Sequence, residues 1–238
     1  MLHYYLAGIF LAPVFLLEGL WVRKITPRLP EPEGPRSGKK GSGAERKIFI
    51  MGDSAAAGVG VHRQEEALSG KLTETLSHDC QLVWKLDART GMRSRELLRE
   101  ILDARFEKFD YALISIGVND VTHGTGAEAW KKNIQSILEL VERKFQVRKI
   151  FLTPIPPMHR FPALPQPLRW WIGKRAAFFN RIMEEIAQKN DCVELMHIEI
   201  PFEKRYMAED GFHPSEAAYA IWGLAVAEAI GKFNGEKL

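Results

Sequence analysis

Five short apolar runs, separated by helical patterns, constrain the fold of this chain more than any other feature. The runs cover residues 47–51, 82–87, 111–116, 149–153 and 192–196, and turn or helix signals bound each of them. Strands that alternate with helices pair in parallel, and right-handed crossovers place the helices on both faces of the sheet. The sequence therefore predicts an α/β fold, with a central parallel sheet in a three-layer α/β/α sandwich.

Length and composition limit the class of protein. The chain has 238 residues, of which 46% are hydrophobic, so it can bury the core of one domain of ordinary size. The formal charge of +3 is small and the basic residues are scattered, which argues against nucleic-acid binding. The two cysteines, Cys80 and Cys192, have neither metal-ligand spacing nor the density of a disulfide scaffold. We therefore expect free thiols and no metal site.

The amino terminus departs from this globular composition. Residues 4–22 are almost wholly apolar, close to the roughly 20 residues that a membrane-spanning helix needs. No basic segment precedes the run and no small-x-small cleavage site follows it, so a secretory signal is not indicated. Arg23, Lys24 and Arg28 follow the run, and the positive-inside tendency places the globular part on the cytoplasmic side. We therefore predict a membrane anchor over residues 1–24.

A second arrangement of the anchor stays open, because Pro13 and Glu18 also fit a helix that lies in the membrane interface. Residues 25–45 are rich in Pro, Gly, Ser and charge and show no apolar periodicity, which is typical of a linker. The folded domain is predicted over residues 46–233, and a short tail over residues 234–238.

A serine follows the first apolar run, in Gly52-Asp53-Ser54, and an amphipathic helical pattern comes after it. Ser54 thus lies at a strand-to-helix turn on the carboxyl edge of the sheet, where open α/β folds bind ligands and helix amides can stabilise an anion. This makes Ser54 a candidate nucleophile. Small residues also occupy such turns for purely structural reasons, so distant residues must decide between the two interpretations.

Two distant segments supply the partners that acyl transfer by serine requires. Asp210 lies three residues before His213, at the start of the last helical pattern, where it can accept the Nδ1 proton and leave Nε2 facing the serine. Asn119 directly follows the third apolar run and can donate to an oxyanion, and Gly91 can offer a bare backbone amide after the second. A helix-capping Asp beside a surface His, and a simple Gly-Asn turn, are the structural alternatives.

The order and spacing of these residues resemble the SGNH hydrolases, also called the GDSL family of lipases and esterases. The matching blocks are Gly52-Asp53-Ser54 with Gly58 (first), Gly91 (second), Gly117-x-Asn119-Asp120 (third) and Asp210-x-x-His213 (fifth). The resemblance implies a flavodoxin-like sheet of five parallel strands, a catalytic triad of Ser54, His213 and Asp210, and no metal or organic cofactor. It further implies an oxyanion hole formed by the Ser54 and Gly91 amides and the Asn119 side chain.

The α/β-hydrolase fold is disfavoured, because Ala56 occupies the place of the second glycine in its Gly-x-Ser-x-Gly motif. Two further acids, Asp53 and Asp120, are interpreted as fasteners of a turn and a loop. Two carboxylates beside a developing oxyanion would oppose catalysis unless they were turned away.

Residues 154–173, between the fourth apolar run and the next helix, fit no regular element but are rich in apolar and aromatic side chains. A loop this long is usually functional or disordered, and its composition argues against disorder. A lid over an acyl pocket, a belt packed on the sheet edge and a contact with the bilayer are all open. The candidate substrate-binding residues are His123, His159, Phe161, Trp170 and Trp171.

These residues together predict a membrane-anchored serine ester hydrolase that cleaves acyl esters through an acyl-enzyme intermediate. The anchor and the apolar loop favour lipid-derived esters, with a carbohydrate O-acetylesterase or an acyl thioesterase of the same fold as alternatives. A membrane-tethered flavodoxin-like binding module, or an inactive interaction module, is the rival from another class. The expected partners are a small-molecule or lipid ester and the membrane, without nucleic acid, and protein partners are left open.

Overall fold

The computed structural model describes residues 2–235 and contains six strands and eight α-helices within them. The strands are β1 (Ser37–Lys40), β2 (Glu45–Gly52), β3 (Gln81–Ala88), β4 (Tyr111–Ser115), β5 (Lys149–Thr153) and β6 (Val193–Leu195). The helices are α1 (Leu2–Ile25), α2 (Ser54–Ala57), α3 (Leu68–Leu76), α4 (Ser94–Asp103), α5 (Val118–Thr122), α6 (Ala127–Phe145), α7 (Leu168–Ala187) and α8 (Glu216–Asn234). Each predicted apolar run corresponds to one of the strands from β2 to β6. The predicted tail, residues 234–238, falls partly outside the described residues.

The strands form one sheet in the order β1-β3-β2-β4-β5-β6, in which β2 to β6 are parallel. The five parallel strands have the flavodoxin-like order, because the chain first steps from β2 to β3 and then crosses back to β4 on the other side of β2. Helices cover both faces of the sheet. The predicted three-layer α/β/α sandwich is thus confirmed.

The sixth strand comes from the segment that was predicted to be a linker. β1 pairs antiparallel with the edge strand β3, with Ser37 opposite Lys85 and Gly38 opposite Trp84. A Cβ atom at Gly38 would lie 2.3 Å from the Trp84 ring, so the missing side chain lets the two backbones pair across a tryptophan. The sheet is therefore mixed, not purely parallel. Periodicity gave no sign of β1, because its four residues carry no apolar alternation.

Two apolar layers hold the helices on the sheet, one on each face. On the face covered by α4, α6 and α7, the fully buried Trp130 stacks on Phe179 with 4.9 Å between ring centroids. On the face covered by α3 and α8, Tyr219 stacks on Trp222 at 6.2 Å. Cys80 is a buried thiol and Cys192 a partly buried one, and the two form no disulfide, as predicted.

Helix α1 packs against the first turns of α7. Phe15 stacks on Trp171 with 5.3 Å between ring centroids, and the Glu18 carboxylate accepts a hydrogen bond from the Leu168 amide at 2.9 Å. Within the part of the chain that the structure describes, no helix is long and apolar enough to cross a membrane. The predicted spanning anchor is therefore not supported by the structure, and Glu18 acts as a cap for another helix.

The loop predicted over residues 154–173 is shorter than expected, because α7 begins at Leu168. Trp170 and Trp171 accordingly lie on the first turn of a helix and not in irregular backbone. The first helical amide of α7 finds its acceptor in Glu18, about 150 residues away along the chain. A start signal supplied from such a distance leaves no local trace in the sequence, so the prediction was wrong at this boundary.

The turn between β2 and α2 is built around a buried acid. Asp53 is 2% exposed, and its Oδ1 atom accepts the Ala55 amide at 3.2 Å as the amino-terminal cap of α2. Its Oδ2 atom has no hydrogen-bond partner among the described residues. Burial raises the pKa of Asp53 from 3.8 to about 7, although the Ala55 amide and nearby His213 favour the charged form. The prediction that Asp53 fastens the turn is confirmed.

The raised pKa of Asp53 predicts that the folded state loses stability as the pH increases. The folded chain binds the Asp53 proton more tightly than the unfolded chain does. The stabilisation by this proton is therefore fully present below pH 3.8 and is lost as the pH rises through about 7. The full effect is on the order of 4 kcal/mol. In urea unfolding between pH 4 and pH 8, we expect Asp53→Asn to lack this loss. Parallel pH profiles for the two proteins would contradict the prediction.

Candidate active site

Three neighbouring strands bring their carboxyl ends to one edge of the sheet, and each is followed by a predicted site residue. Ser54 follows β2 and opens α2, Gly91 follows β3, and Asn119 follows β4 on α5. Because β2 lies between β3 and β4, Ser54 stands between the other two. This is the topological switch point at which open α/β sheets bind their ligands.

Ser54 is placed by a glycine that lets two strands approach closely. Gly52 has a φ of +151°, and a Cβ atom there would lie 1.9 Å from the Ser115 carbonyl oxygen. No other residue type fits this position without moving β4. The Asp53 amide then donates to the same carbonyl at 3.0 Å, which fixes the backbone just before the serine.

A continuous chain of hydrogen bonds joins Ser54, His213 and Asp210. The Nε2 atom of His213 lies 2.8 Å from the Ser54 Oγ atom, and its Nδ1 atom lies 2.5 Å from an Asp210 carboxylate oxygen. The other Asp210 oxygen accepts the backbone amides of Phe212 at 2.9 Å and of His213 at 3.0 Å. The structure thus brings Ser54 together with the Asp210–His213 turn, which follows it by more than 150 residues in the sequence.

The protonation of this chain follows from the environment of Asp210, whose side chain is almost fully buried. Burial alone would raise the pKa of Asp210, but hydrogen bonds from the side chain and backbone of His213 outweigh burial and lower it below its ordinary value. An ionised carboxylate can only accept, so Nδ1 of His213 carries the hydrogen. Nε2 is then free to accept the hydroxyl hydrogen of Ser54.

Asn119 is turned toward the loop that carries Gly91. Its Nδ2 atom donates to the Met92 carbonyl at 3.0 Å. Gly117, two residues earlier, has a φ of +130°, and a Cβ atom there would lie 2.7 Å from Ile155 and 2.8 Å from Trp130. The tight turn after β4 therefore needs glycine, and it directs the asparagine along the sheet edge toward β3.

Asp120 joins the same two loops through hydrogen bonds to its carboxylate. Its carboxylate is fully buried and accepts the Ser94 amide at 2.8 Å, the Ser94 hydroxyl at 2.6 Å and the Thr125 hydroxyl at 3.0 Å. The Ser94 amide is the first of α4, so one side chain both starts that helix and holds the turn after β4. The prediction that Asp120 is a loop fastener is confirmed.

The segment around Glu31, which was predicted to be part of a linker, holds the loop that carries Gly91. One Glu31 oxygen accepts the Thr90 amide at 2.6 Å and the Thr90 hydroxyl at 3.0 Å, and the other accepts from Arg36 at 3.0 Å. Two residues on, the backbone of Glu33 bonds to the loop after α2, with its amide 3.0 Å from the His62 carbonyl. This segment is polar and aperiodic, so no local signal distinguishes it from a linker.

The candidate substrate-binding residues fall into two groups. Phe161 is buried and lies edge to face with Phe212, with 5.8 Å between ring centroids, so it packs beside the residue that precedes His213. His123 is exposed, and its Nδ1 atom lies 3.0 Å from the Asn119 carbonyl oxygen. Phe161 is thus close to His213, and His123 is close to Asn119.

The other group lies toward α7 and α1. His159 is exposed on a short 3₁₀ helix and packs against Gly173 of α7. Trp171 stacks on Phe15 of α1, and Trp170 lies beside it with 6.3 Å between the ring centroids. A role for these residues in substrate binding stays a prediction. Among residues 2–235, no group of three or more His, Cys, Asp or Glu side chains could hold a metal ion.

Comparison with solved structures finds the same fold in several esterases. The esterase EstA from Pseudoalteromonas sp. superposes with a TM-score of 0.62 at 17% identity, covering 80% of this chain and 100% of that one. The lipase/acylhydrolase from Enterococcus faecalis gives 0.61 at 18% identity, covering 79% and 96%. The acetylxylan esterase Axe2 from Geobacillus stearothermophilus gives 0.55 at 19% identity, covering 80% and 95%. At these identities the likeness shows a shared fold.

A sequence-family match adds the family to the shared fold. A comparison with curated protein sequences finds no match. The family model of the GDSL-like Lipase/Acylhydrolase family, however, matches residues 50–221, a range that includes Ser54, Asn119, Asp210 and His213. The match covers well over half of the chain and confirms the resemblance drawn from the motifs. The chain belongs to the GDSL-like Lipase/Acylhydrolase family.

Proposed function

We propose that this protein is a serine ester hydrolase in which Ser54 is the nucleophile, His213 the general base and Asp210 the residue that orients the imidazole. The observation that carries the proposal is the hydrogen-bonded chain of the three side chains, with 2.8 Å and 2.5 Å between its members. It lies at the edge of the sheet where ligands bind in such folds. Family membership supports ester hydrolysis independently of this geometry.

The geometry supports a two-step reaction. Ser54 Oγ attacks the ester carbonyl carbon while its proton passes to Nε2 of His213, and the imidazolium that forms is stabilised by Asp210. Collapse of the tetrahedral intermediate breaks the bond to the alcohol oxygen, which leaves with the proton from Nε2. Water then attacks the acyl-Ser54 ester by the same route in reverse and releases the acid.

The oxyanion of each intermediate needs donors beside Ser54, and we assign this role to the Ser54 and Gly91 amides and the Asn119 side chain. Support comes from the placement of Gly91 and Asn119 on the two loops that flank Ser54 at the sheet edge. Asp120 and Glu31 hold these loops through hydrogen bonds on opposite sides. Donors fixed in this way do not have to reorganise as charge develops.

Lipid-derived acyl esters are the substrate class that we propose. The apolar loop that ends at α7 packs through Phe161 on Phe212, the residue before His213, and its apolar composition favours an acyl chain. We also propose that the domain lies on the cytoplasmic side of a membrane, because Arg23 and Lys24 follow the apolar run of residues 4–22.

The nucleophile is tested by a fluorophosphonate probe, which reacts with serines activated by a base. We expect the wild-type protein to be labelled, Ser54→Ala to be unlabelled and His213→Ala to react at least 10⁴-fold more slowly. Ser69→Ala, which removes a buried hydroxyl outside the site, is the matched control and should be labelled normally. An unlabelled wild-type protein would favour a binding or interaction module.

The oxyanion hole is tested by kcat on p-nitrophenyl esters. Removing the Asn119 donor in Asn119→Ala should lower kcat by roughly 10²–10³.

Glu31→Ala frees the loop of Gly91 and should lower kcat about tenfold with little change in KM, since the bond is made to protein and not to substrate. Glu33→Ala is the control, because Glu33 is exposed and bonds to the neighbouring loop through its backbone. Equal effects at Glu31 and Glu33 would refute the clamp.

Substrate class is tested by the acyl-chain length of the ester. With p-nitrophenyl esters of two to twelve carbons, we expect kcat/KM to rise with chain length, because each buried CH₂ contributes about 0.8 kcal/mol. Activity confined to acetyl esters would replace the lipid proposal by an O-acetylesterase. Acyl thioesters of the same lengths, run in parallel, distinguish a thioesterase.

A further inference from the structure

Helix α1 has one face on the domain and a much larger face in solvent. The contact face is a single stripe at helical spacing, whose half-buried members are Gly8, Leu11, Phe15, Glu18, Gly19 and Val22. Phe15 and Val22 pack against the core beneath α7, and Trp171 lies against Gly8 and Phe15. The position of α1 on the domain is therefore defined by packing and by the Glu18 cap.

The remaining face is apolar and uncovered. Its large side chains are Ile9 (72% exposed), Phe10 (79%), Leu16 (64%), Leu17 (68%), Leu20 (57%) and Trp21 (52%). Trp170 of α7, 37% exposed, extends this surface next to Trp171. We call these seven residues the docking face. Contiguous apolar surfaces of this kind are rare on soluble monomers and mark sites of interaction with proteins or membranes.

The exposed charges of α1 and of the chain just after it, up to Arg28, have one sign. Glu18 is the single acid in α1, and its carboxylate is engaged with the Leu168 amide on the contact face. Arg23 and Lys24 are exposed in the last turn of α1, and Arg28 follows in the exposed chain. An apolar surface that ends in exposed basic residues complements a lipid layer, whose acyl region is apolar and whose headgroups include anions.

We propose that the docking face of α1 and Trp170 binds a lipid surface containing anionic headgroups, with α1 lying along that surface. Trp21 and Trp170 suit the headgroup level, where amphipathic aromatic rings concentrate. A second copy of the chain is the competing occupant. In a symmetric contact the second copy would present the same positive charges of Arg23 and Lys24, and Glu18, the single acid of α1, is engaged with the Leu168 amide and does not pair with them.

Docking in this orientation would bring the lipid close to the proposed active site. Trp170 lies on the first turn of α7, and the loop that enters this turn packs through Phe161 on Phe212, next to His213. An ester held in the lipid layer would therefore meet the loop that flanks the triad. This consequence rests on the proposed function, but the docking itself does not.

Vesicle flotation with the full chain tests the proposal without reference to activity. We expect the wild-type protein to float with vesicles of phosphatidylcholine and phosphatidylglycerol. Leu17→Gln/Leu20→Gln should weaken binding about tenfold or more, because two exposed leucines no longer enter the lipid. The matched control is Leu102→Gln/Phe106→Gln, which changes two equally exposed apolar residues outside the docking face and should bind as the wild type does. Far-ultraviolet circular dichroism of every variant reports an intact fold, and fluorophosphonate labelling tests the triad separately.

The charge component has its own comparison. Arg23→Gln/Lys24→Gln should lose about fivefold in affinity per charge on the anionic vesicles and show little change on pure phosphatidylcholine. A wild-type protein that stays with neither vesicle, or equal binding by the two leucine and phenylalanine double variants, would overturn the proposal. So would a dimer that Leu17→Gln/Leu20→Gln dissociates in analytical ultracentrifugation and that does not bind vesicles, since the face would then belong to a second copy.

Discussion

The pairing of β2 with β3 on one side and with β4 on the other is the constraint on which the rest of the structure depends. It brings three strand ends side by side, so that Ser54, Gly91 and Asn119 emerge next to one another although they are far apart in sequence. The close approach of Gly52 to the Ser115 carbonyl makes this pairing sensitive to a single Cβ atom. A site assembled on strand ends inherits the rigidity of the sheet, whose strands are buried on both faces.

Buried or half-buried carboxylates then convert the sheet edge into a defined site. Asp53 caps α2, Asp120 joins the turn after β4 to the start of α4, and Glu31 holds the loop of Gly91. Each accepts backbone amides, so each fixes the course of the main chain and not only a side chain. Asp210 does the same for the turn that carries His213 and in addition accepts the imidazole hydrogen. The same chemical group thus serves structure at three positions and orients the imidazole of His213 at the fourth.

The sequence was sufficient where the signal is local. The five parallel strands, the Ser54 turn and the Asp210–His213 turn each show their pattern within about ten residues, and the order of these patterns along the chain indicated the fold and the family. It was insufficient where an element depends on a distant partner. β1 exists because β3 offers an open edge and Gly38 makes room for Trp84, and the start of α7 depends on Glu18. The Glu31 clamp is likewise a contact over 59 positions, with nothing in its own segment to announce it.

The hydrogen bond from the Leu168 amide to Glu18 also helps to set the distance between helix α1 and Ser54. A helix joined to a domain by a loose linker lets that domain sample every height and tilt within reach of the tether. Helix α1 is instead fastened to α7 by a charged cap and by the stacking of Phe15 on Trp171. The distance between the exposed side of α1 and Ser54 at the sheet edge is therefore a fixed property of the fold. Whatever α1 rests on, the serine is held at one distance from it.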